Sequence, residues 1–178
     1  MSDIVIREIG EQNKADLGIK NERFRLFGRM IPSYHNGSWS YEITESEAQW
    51  DIFPDENYNY EQMARDHLFL GAYDGSVCVA LAVLRHQWHN YLYLHDLKVN
   101  SGYRRRHIAT DLINESFGLA FRHGYRGLWT IGQDNNLAAC LFYINNGFRI
   151  GGVDTDVYIG TPLEGNADIH FYKDQTER

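Results

Sequence analysis

Ile4, Ile6 and Ile9, set among polar and charged residues, mark an opening strand near the start of the chain. The mixed segment that follows, to about Asn36, holds no sustained period, and its polarity predicts one or two short helices. Trp39 to Thr44 alternates aromatic and polar residues as a half-buried strand does. Asp51 to Asn57 reads as a mobile loop, and Tyr58 to His67 as a helix feeding the next strand. From Leu68 the pattern sharpens. LFLGAY, a tight Asp74-Gly75 turn, VCVALAVL, a polar bend at His89-Asn90 and YLYLHDLKV predict three consecutive antiparallel strands.

Beyond Tyr103 the period changes from two to that of a helix. Ile108, Leu112, Ile113, Phe117, Ala120 and Phe121 form one apolar stripe, with Gly124 placed to end it. Gly127 to Ile131 reads as a short buried strand and Asn135 to Asn146 as a second helix stopped by Gly147. Phe148 to Gly151, Val153 to Ile159 and Ile169 to Tyr172 read as closing strands. Strands and helices alternating behind an antiparallel meander predict an α/β fold, with a mixed, mostly antiparallel central sheet and helices on both faces. No repeat, low-complexity tract or composition break divides the chain, so a single domain over residues 1–178 is expected.

Composition narrows the function. The 178 residues carry 17 basic and 24 acidic side chains, a formal net charge of −7. That balance speaks against a nucleic-acid binder, whose affinity comes largely from neutralising phosphates. The longest charge-free apolar stretch, Val77 to Leu84, is far short of the roughly 20 residues a membrane helix needs. The first residues lack the apolar block of a signal peptide, which makes the cytoplasm the expected location. Cys78 and Cys140 stand far apart with no CxxC pair and no neighbouring ligand cluster, so neither a disulfide framework nor a metal site is expected.

Chemistry concentrates at one joint, LYLHDLKVNSGYRRRHIATDL, where a strand gives way to a helix. A helix start offers unsatisfied backbone N–H groups and the positive end of its dipole, and Arg104, Arg105 and Arg106 add cations there. The joint is a candidate phosphate cradle. It resembles the acyl-CoA pyrophosphate loop of the GCN5-related N-acetyltransferases, the GNAT family, whose pattern is Arg or Gln, two residues, Gly, one residue, then Gly or Ala. Arg104 fills the first place and Ala109 the last, while His107 stands where glycine is usual. In DNNLAACLFYINNGF, Asn136, Ala139, Tyr143, Gly147 and Phe148 match the family's second motif. A narrower resemblance, over roughly residues 25 to 173, is to the streptothricin acetyltransferases, antibiotic-resistance members of that family. FGRMIPSYHNGSW, LYLHDLKV and QDNNLAACLFYINNGFRIGGVDT carry it. Where those enzymes often have a dense acidic run, this chain has scattered Glu45, Glu47, Asp51, Asp55, Glu56, Glu61 and Asp66.

The resemblance implies a GNAT-like fold, acetyl-CoA as co-substrate with no metal, and transfer of acetyl to a primary amine of a small cationic acceptor. The β-lysine amine of streptothricin is the first candidate. By the same resemblance, Leu97, Lys98, Val99, Arg104, Arg105, Arg106, His107, Ile108, Ala109, Thr110, Asn136, Ala139 and Tyr143 are the expected cofactor-binding residues. Attack on a thioester needs a neutral amine, while an alkylamine with a pKa near ~10.4 is almost wholly protonated at neutral pH, so a base or a water relay is required. Strand alternation places Tyr93, His95, Leu97 and Val99 on one face and Leu94, Asp96 and Lys98 on the other. His95 lies where the resembled enzymes often carry Glu or His and is the first candidate base. Asp96 is the second, through a water relay or as the anchor of a cationic acceptor. Tyr143 matches the family's tyrosine that protonates the departing thiolate or holds it by a hydrogen bond, and a backbone N–H at Leu97 or Val99 would meet the oxyanion of the reacting carbonyl.

Cys140 reads as a small buried thiol with a structural role. Tyr34, Trp39, Tyr41, Trp50, Tyr58 and Tyr60 crowd the N-terminal half, as an acceptor-stacking surface or as packing. Two alternatives stand beside the leading reading: a polyamine, amino sugar or protein amine as acceptor, and a non-catalytic acyl-CoA-binding module. The expected partner is a small cationic amine, with neither nucleic acid nor membrane, and a homodimer is left open.

Overall fold

The structure, a computed structural model, describes residues 3–174. In chain order its elements are β1 (Ile4–Glu8), a 3₁₀ segment (Glu11–Gly18), β2 (Phe24–His35), β3 (Ser38–Asp51), α1 (Tyr60–Met63), β4 (His67–Asp74), β5 (Val77–Arg85), β6 (Tyr91–Val99), a 3₁₀ turn (Ser101–Tyr103), α2 (Ile108–Arg122), β7 (Gly127–Gln133), α3 (Leu137–Asn145), β8 (Arg149–Asp154) and β9 (Asp168–Asp174). They fall into two compact units. The first holds the chain up to Glu22 and Phe53–Leu128, the second Arg23–Ile52 and the chain from Trp129.

In the first unit four strands pair antiparallel in the order β1-β4-β5-β6. β5 is buried from Val79 through Leu84, so both of its faces are covered. On one face Leu81 and Val83 join Phe69, Ile9 and Leu17, the last from the 3₁₀ segment, with Tyr58, Tyr60 and Met63 packed around them. Ala80, Ala82 and Leu84 alternate to the other face. There α2 packs on β1, β4, β5 and β6. Its buried residues Ile108, Leu112, Ile113, Ser116, Leu119 and Ala120 recur at helical spacing; four of them belong to the stripe expected from the sequence, while Phe117 and Phe121 lie at its half-buried margin and Ser116 and Leu119 take their place. The β4–β5 turn falls one residue later than the sequence suggests, on Gly75-Ser76, because Gly75 supplies the positive φ of 60°.

The second unit contains an antiparallel ribbon of β2 and β3, the strands β7-β9-β8 in that order, and α3. Of the one or two short helices expected before Asn36 the 3₁₀ segment is one, and the rest of that stretch is a 12-residue strand. Phe24, Leu26, Gly28 and Met30 recur at every second position, but apolar Phe27, at a break in register between Leu26 and Gly28, and apolar Ile31 blur the period, and pairing along β3 supplies the order. Gly28 is required there: a Cβ would lie 2.5 Å from the Thr44 carbonyl oxygen and 2.8 Å from Leu137 Cδ2. Val153 to Ile159 is not a strand beyond Asp154. The Asp154 carboxylate accepts the N–H groups of Asp156 and Val157 at 3.0 and 3.1 Å and bends the chain into turns.

The helix expected from Tyr58 to His67 shrinks to the single turn of α1, capped by the Asn59 side chain on the Gln62 N–H at 3.0 Å. Residues 52–59 lack regular structure but are tied down. Asn21 donates from its backbone to Asp55 at 2.8 Å and from its side chain to the Pro54 carbonyl and Glu56 at 2.8 and 2.9 Å. Among the described residues the chain is mixed α/β, with seven strands in mostly antiparallel pairings besides the ribbon.

Candidate active site

Pairing of β5 with β6 sets the site's geometry. Leu84 lies opposite Leu94 and Val83 opposite Asp96, which leaves His95 as an extra residue in a bulge. Unbroken alternation would put His95 and Asp96 on opposite faces, and the bulge removes that separation. Tyr58 meets both: its ring stands edge-on to the His95 ring, centroids 6.2 Å apart, and its hydroxyl donates to Asp96 at 3.1 Å. Asp96 opposite Val83 and Lys98 opposite Leu81 share the face that carries Leu17 and Phe69.

The charges on this face are interlocked. Lys98 Nζ lies 3.0 Å from Asp96 and 2.6 Å from Glu56, with the Lys98 side chain only 10% exposed and that of Asp96 17%. Burial pushes the Asp96 carboxyl above the usual carboxylate range, and Lys98 offsets only part of that. Burial alone would favour loss of the Lys98 proton, but Asp96 and Glu56 outweigh it and hold the ammonium's pKa above its ordinary value. Burial, then the Asp96 charge, drives the Tyr58 phenol well above its usual range, so it serves as a donor. Lys98, expected at the cofactor, has its ammonium committed to carboxylates.

His95 is exposed to solvent on one side, while the other side of its ring packs against Tyr58, Tyr93 and His67, the last two at 5.6 and 5.7 Å. Burial, and then the neighbouring His67, hold its pKa below the ordinary histidine value, against the pull of Asp96. A neutral imidazole at neutral pH is suited to accept a proton.

At the end of β6 the chain turns through Ser101–Tyr103 into α2. Arg105 and His107 both have φ of 61°, and the His107 carbonyl accepts the Asp111 N–H at 3.0 Å, opening the helix. Thus the residue standing where glycine is usual keeps a glycine-like backbone, with its side chain exposed. Arg105 and Arg106 are exposed, and Arg106 lies over the Tyr103 ring at 5.0 Å. Arg104 turns back: Nε donates to the Val99 carbonyl at 3.1 Å and Nη2 approaches Glu22 at 3.4 Å. Glu22 also accepts the Ser101 N–H at 2.6 Å. Exposed cations, a left-handed loop and the start of a 15-residue helix, with Ile108, Ala109 and Thr110 as its first residues, suit a polyphosphate.

In the second unit, Asn136 caps α3 by accepting the Ala139 N–H at 3.2 Å, so two matched motif residues form one helix cap. Tyr143 is half-buried, its ring 5.5 Å from Phe148 and 5.4 Å from Phe171. Cys140 is fully buried and donates to the Gln133 carbonyl. Burial, then Asp134, pushes its thiol up to about 12, in keeping with a structural role. Of the six aromatics noted in the sequence, Tyr34, Trp39, Tyr41 and Trp50 lie on the ribbon, and Tyr58 is the one that meets His95 and Asp96. Glu22 and His67 had no motif to announce them, because Ser101 and His95, which they meet, lie far along the chain.

Residues 34–148 match the model of the acetyltransferase (GNAT) family. Streptothricin acetyltransferase A of Bacillus subtilis (strain 168) is 30% identical over 171 residues, 94% of this chain and 98% of that protein. A solved structure from Bacillus anthracis str. Ames, described as a streptothricin acetyltransferase in complex with acetyl coenzyme A, has a TM-score of 0.86 at 24% identity, covering 98% of this chain and 99% of that one. Nourseothricin acetyltransferase follows with a TM-score of 0.77 at 18% identity, covering 96% and 98%. At those identities the two structures define the fold class, that of the acetyltransferases. The chain belongs to the acetyltransferase (GNAT) family, and it is an N-acetyltransferase with acetyl-CoA as its co-substrate.

Proposed function

We propose that the chain, working as one catalytic domain, acetylates a primary amine of a small cationic acceptor, with the β-lysine amine of streptothricin as substrate. The observation that carries this reading is the bulge at His95, which presents a proton-poor imidazole beside Tyr58 and Asp96. His95 takes the proton that an alkylammonium must lose before it can attack. Asp96, held by Tyr58 and Lys98, anchors the acceptor's charge: with both carboxylates ionised, Asp96, Glu56 and Lys98 leave one net negative charge beside the ring. Similarity to streptothricin acetyltransferase A along almost the whole chain supports the acceptor.

Acetyl-CoA supplies the activated acyl group when bound. For its pyrophosphate we assign the side chains of Arg104, Arg105 and Arg106 and the backbone N–H groups of His107, Ile108, Ala109 and Thr110. To the carrier arm we assign the backbone at Leu97, Lys98 and Val99, and to the cofactor also Asn136 and Ala139. The Tyr143 hydroxyl donates a proton to the departing sulfur.

The acceptor is tested by measuring CoA release with streptothricin beside spermidine, an aminoglycoside and a lysine-bearing peptide, with mass spectrometry for one added acetyl group. Streptothricin should exceed the others in kcat/KM by roughly tenfold, about 1.4 kcal/mol of transition-state binding. A tenfold preference for another amine would overturn the acceptor and leave the acetyl transfer standing.

A further inference from the structure

We propose that His67, fixed by Asp66, is a positioning residue that relieves His95 of the proton it takes from the acceptor. The proposal rests on the reading of His95 as the base. An ammonium that becomes an amide loses two protons; one leaves with the CoA thiol and the other must reach solvent. With an acceptor seated on the solvent-reachable edge of His95, that outlet is closed, and the ring packed behind it is His67, at 5.7 Å between centroids and inclined at 62°.

The surroundings of His67 define its tautomer. Nδ1 lies 2.7 Å from the Asp66 carboxylate and 3.3 Å from the Met63 carbonyl. Both partners can only accept, so Nδ1 carries the hydrogen and the neutral ring keeps its lone pair on Nε2. The His67 ring is enclosed. The His67 side chain is only 9% exposed and lies parallel to Phe69 within 7°, while the other Asp66 oxygen is held by Arg85 Nε at 3.3 Å. The hydrogen bond from His67 keeps the Asp66 carboxyl below its usual range and therefore ionised. A histidine with a carboxylate on Nδ1 and a bare Nε2 is built to accept a proton and to stabilise the resulting cation.

The two rings meet edge to face without a hydrogen bond between them, so the proton crosses through an intervening water, and no other atom is transferred. His95 returns to its neutral form, His67 becomes an imidazolium paired with Asp66, and the proton then passes to water. His67 lines a cleft of about 500 Å³ together with Glu8, Glu11, Asn13, Tyr60 and Phe69, which supplies that exit. The charged and titratable groups around the two rings are Asp66 before β4, Arg85 and His86 at the end of β5, Tyr93 and Asp96 on β6, and Glu56 and Tyr58 from the segment before α1.

The test is the pH profile of His67→Asn. An asparagine can still donate to Asp66 but cannot take a proton. We expect kcat to fall roughly tenfold, with KM for acetyl-CoA unchanged. The acid limb of kcat/KM for the acceptor should move, because the ring that exchanges its proton with His95 is gone and the two no longer titrate as a pair. Asp66→Asn, which keeps an acceptor for Nδ1 but removes the charge, should lower kcat in the same direction and guards against a folding defect in the first variant. A kcat loss with an unmoved limb, or no loss in either variant, would overturn the relay. If the wild-type limb survives His95→Ala, the base assignment falls and the relay with it; if His95→Ala removes it while His67→Asn leaves it in place, only the relay falls.

Discussion

His107 shows how much one backbone angle decides. An L-residue with φ of 61° crowds its Cβ against the following carbonyl, at a cost of roughly 1 kcal/mol, which glycine does not incur. His107→Gly should therefore raise the melting midpoint by about 2 °C in a thermal melt, after the entropy of the more flexible unfolded chain is set against the relief. Acetyl-CoA binding should persist, since the loop already has the glycine conformation; a lowered midpoint would contradict this reading. The pattern of cations at Arg104, Arg105 and Arg106 was legible in the sequence. The bond from Arg104 back towards Glu22 was not, because 82 residues separate the partners and no local signal links them.

Strands carry the same lesson at the scale of elements. Hydrophobic runs made β4, β5 and β6 legible, and helical spacing did so for α2 and α3, since each buries a face with a regular period. A bulge has no period. The single extra residue at His95 removes the separation that alternation would impose between His95 and Asp96, so that Tyr58 meets both, while Asp96 and Lys98 share a face as alternation predicts. Lys98 holds two carboxylates there, so Lys98→Met should cost about 3 kcal/mol in urea denaturation at pH 7 by leaving them unpaired. The sign of the pH dependence follows from Asp96. Its folded pKa, already raised by burial, rises further without the lysine, so the folded state gains protons as pH falls and the penalty shrinks towards pH 5. A penalty that stays constant or grows on acidification would contradict the pairing. The β2–β3 ribbon was only partly legible, because its order comes from cross-strand pairing and its faces are too mixed to show a clean period.

For the molecule as a whole, two short motifs on successive strand-to-helix joints of the chain carried the family, while the acceptor chemistry rests on residues drawn together from distant parts of the chain. His95 was legible as a candidate from its place on a strand; the surroundings that hold its proton affinity down belong to tertiary packing by Tyr58, Tyr93 and His67. The most direct measurement is the single-turnover pH dependence of kcat/KM for the acceptor, wild type against His95→Gln. The wild type should lose activity as pH falls through an apparent pKa below the ordinary histidine value of 6.5, because the depressed imidazole must be neutral to act. In His95→Gln that limb should vanish and the plateau rate should fall by roughly 100-fold. An unchanged limb in the variant would contradict the assignment of His95 as the base.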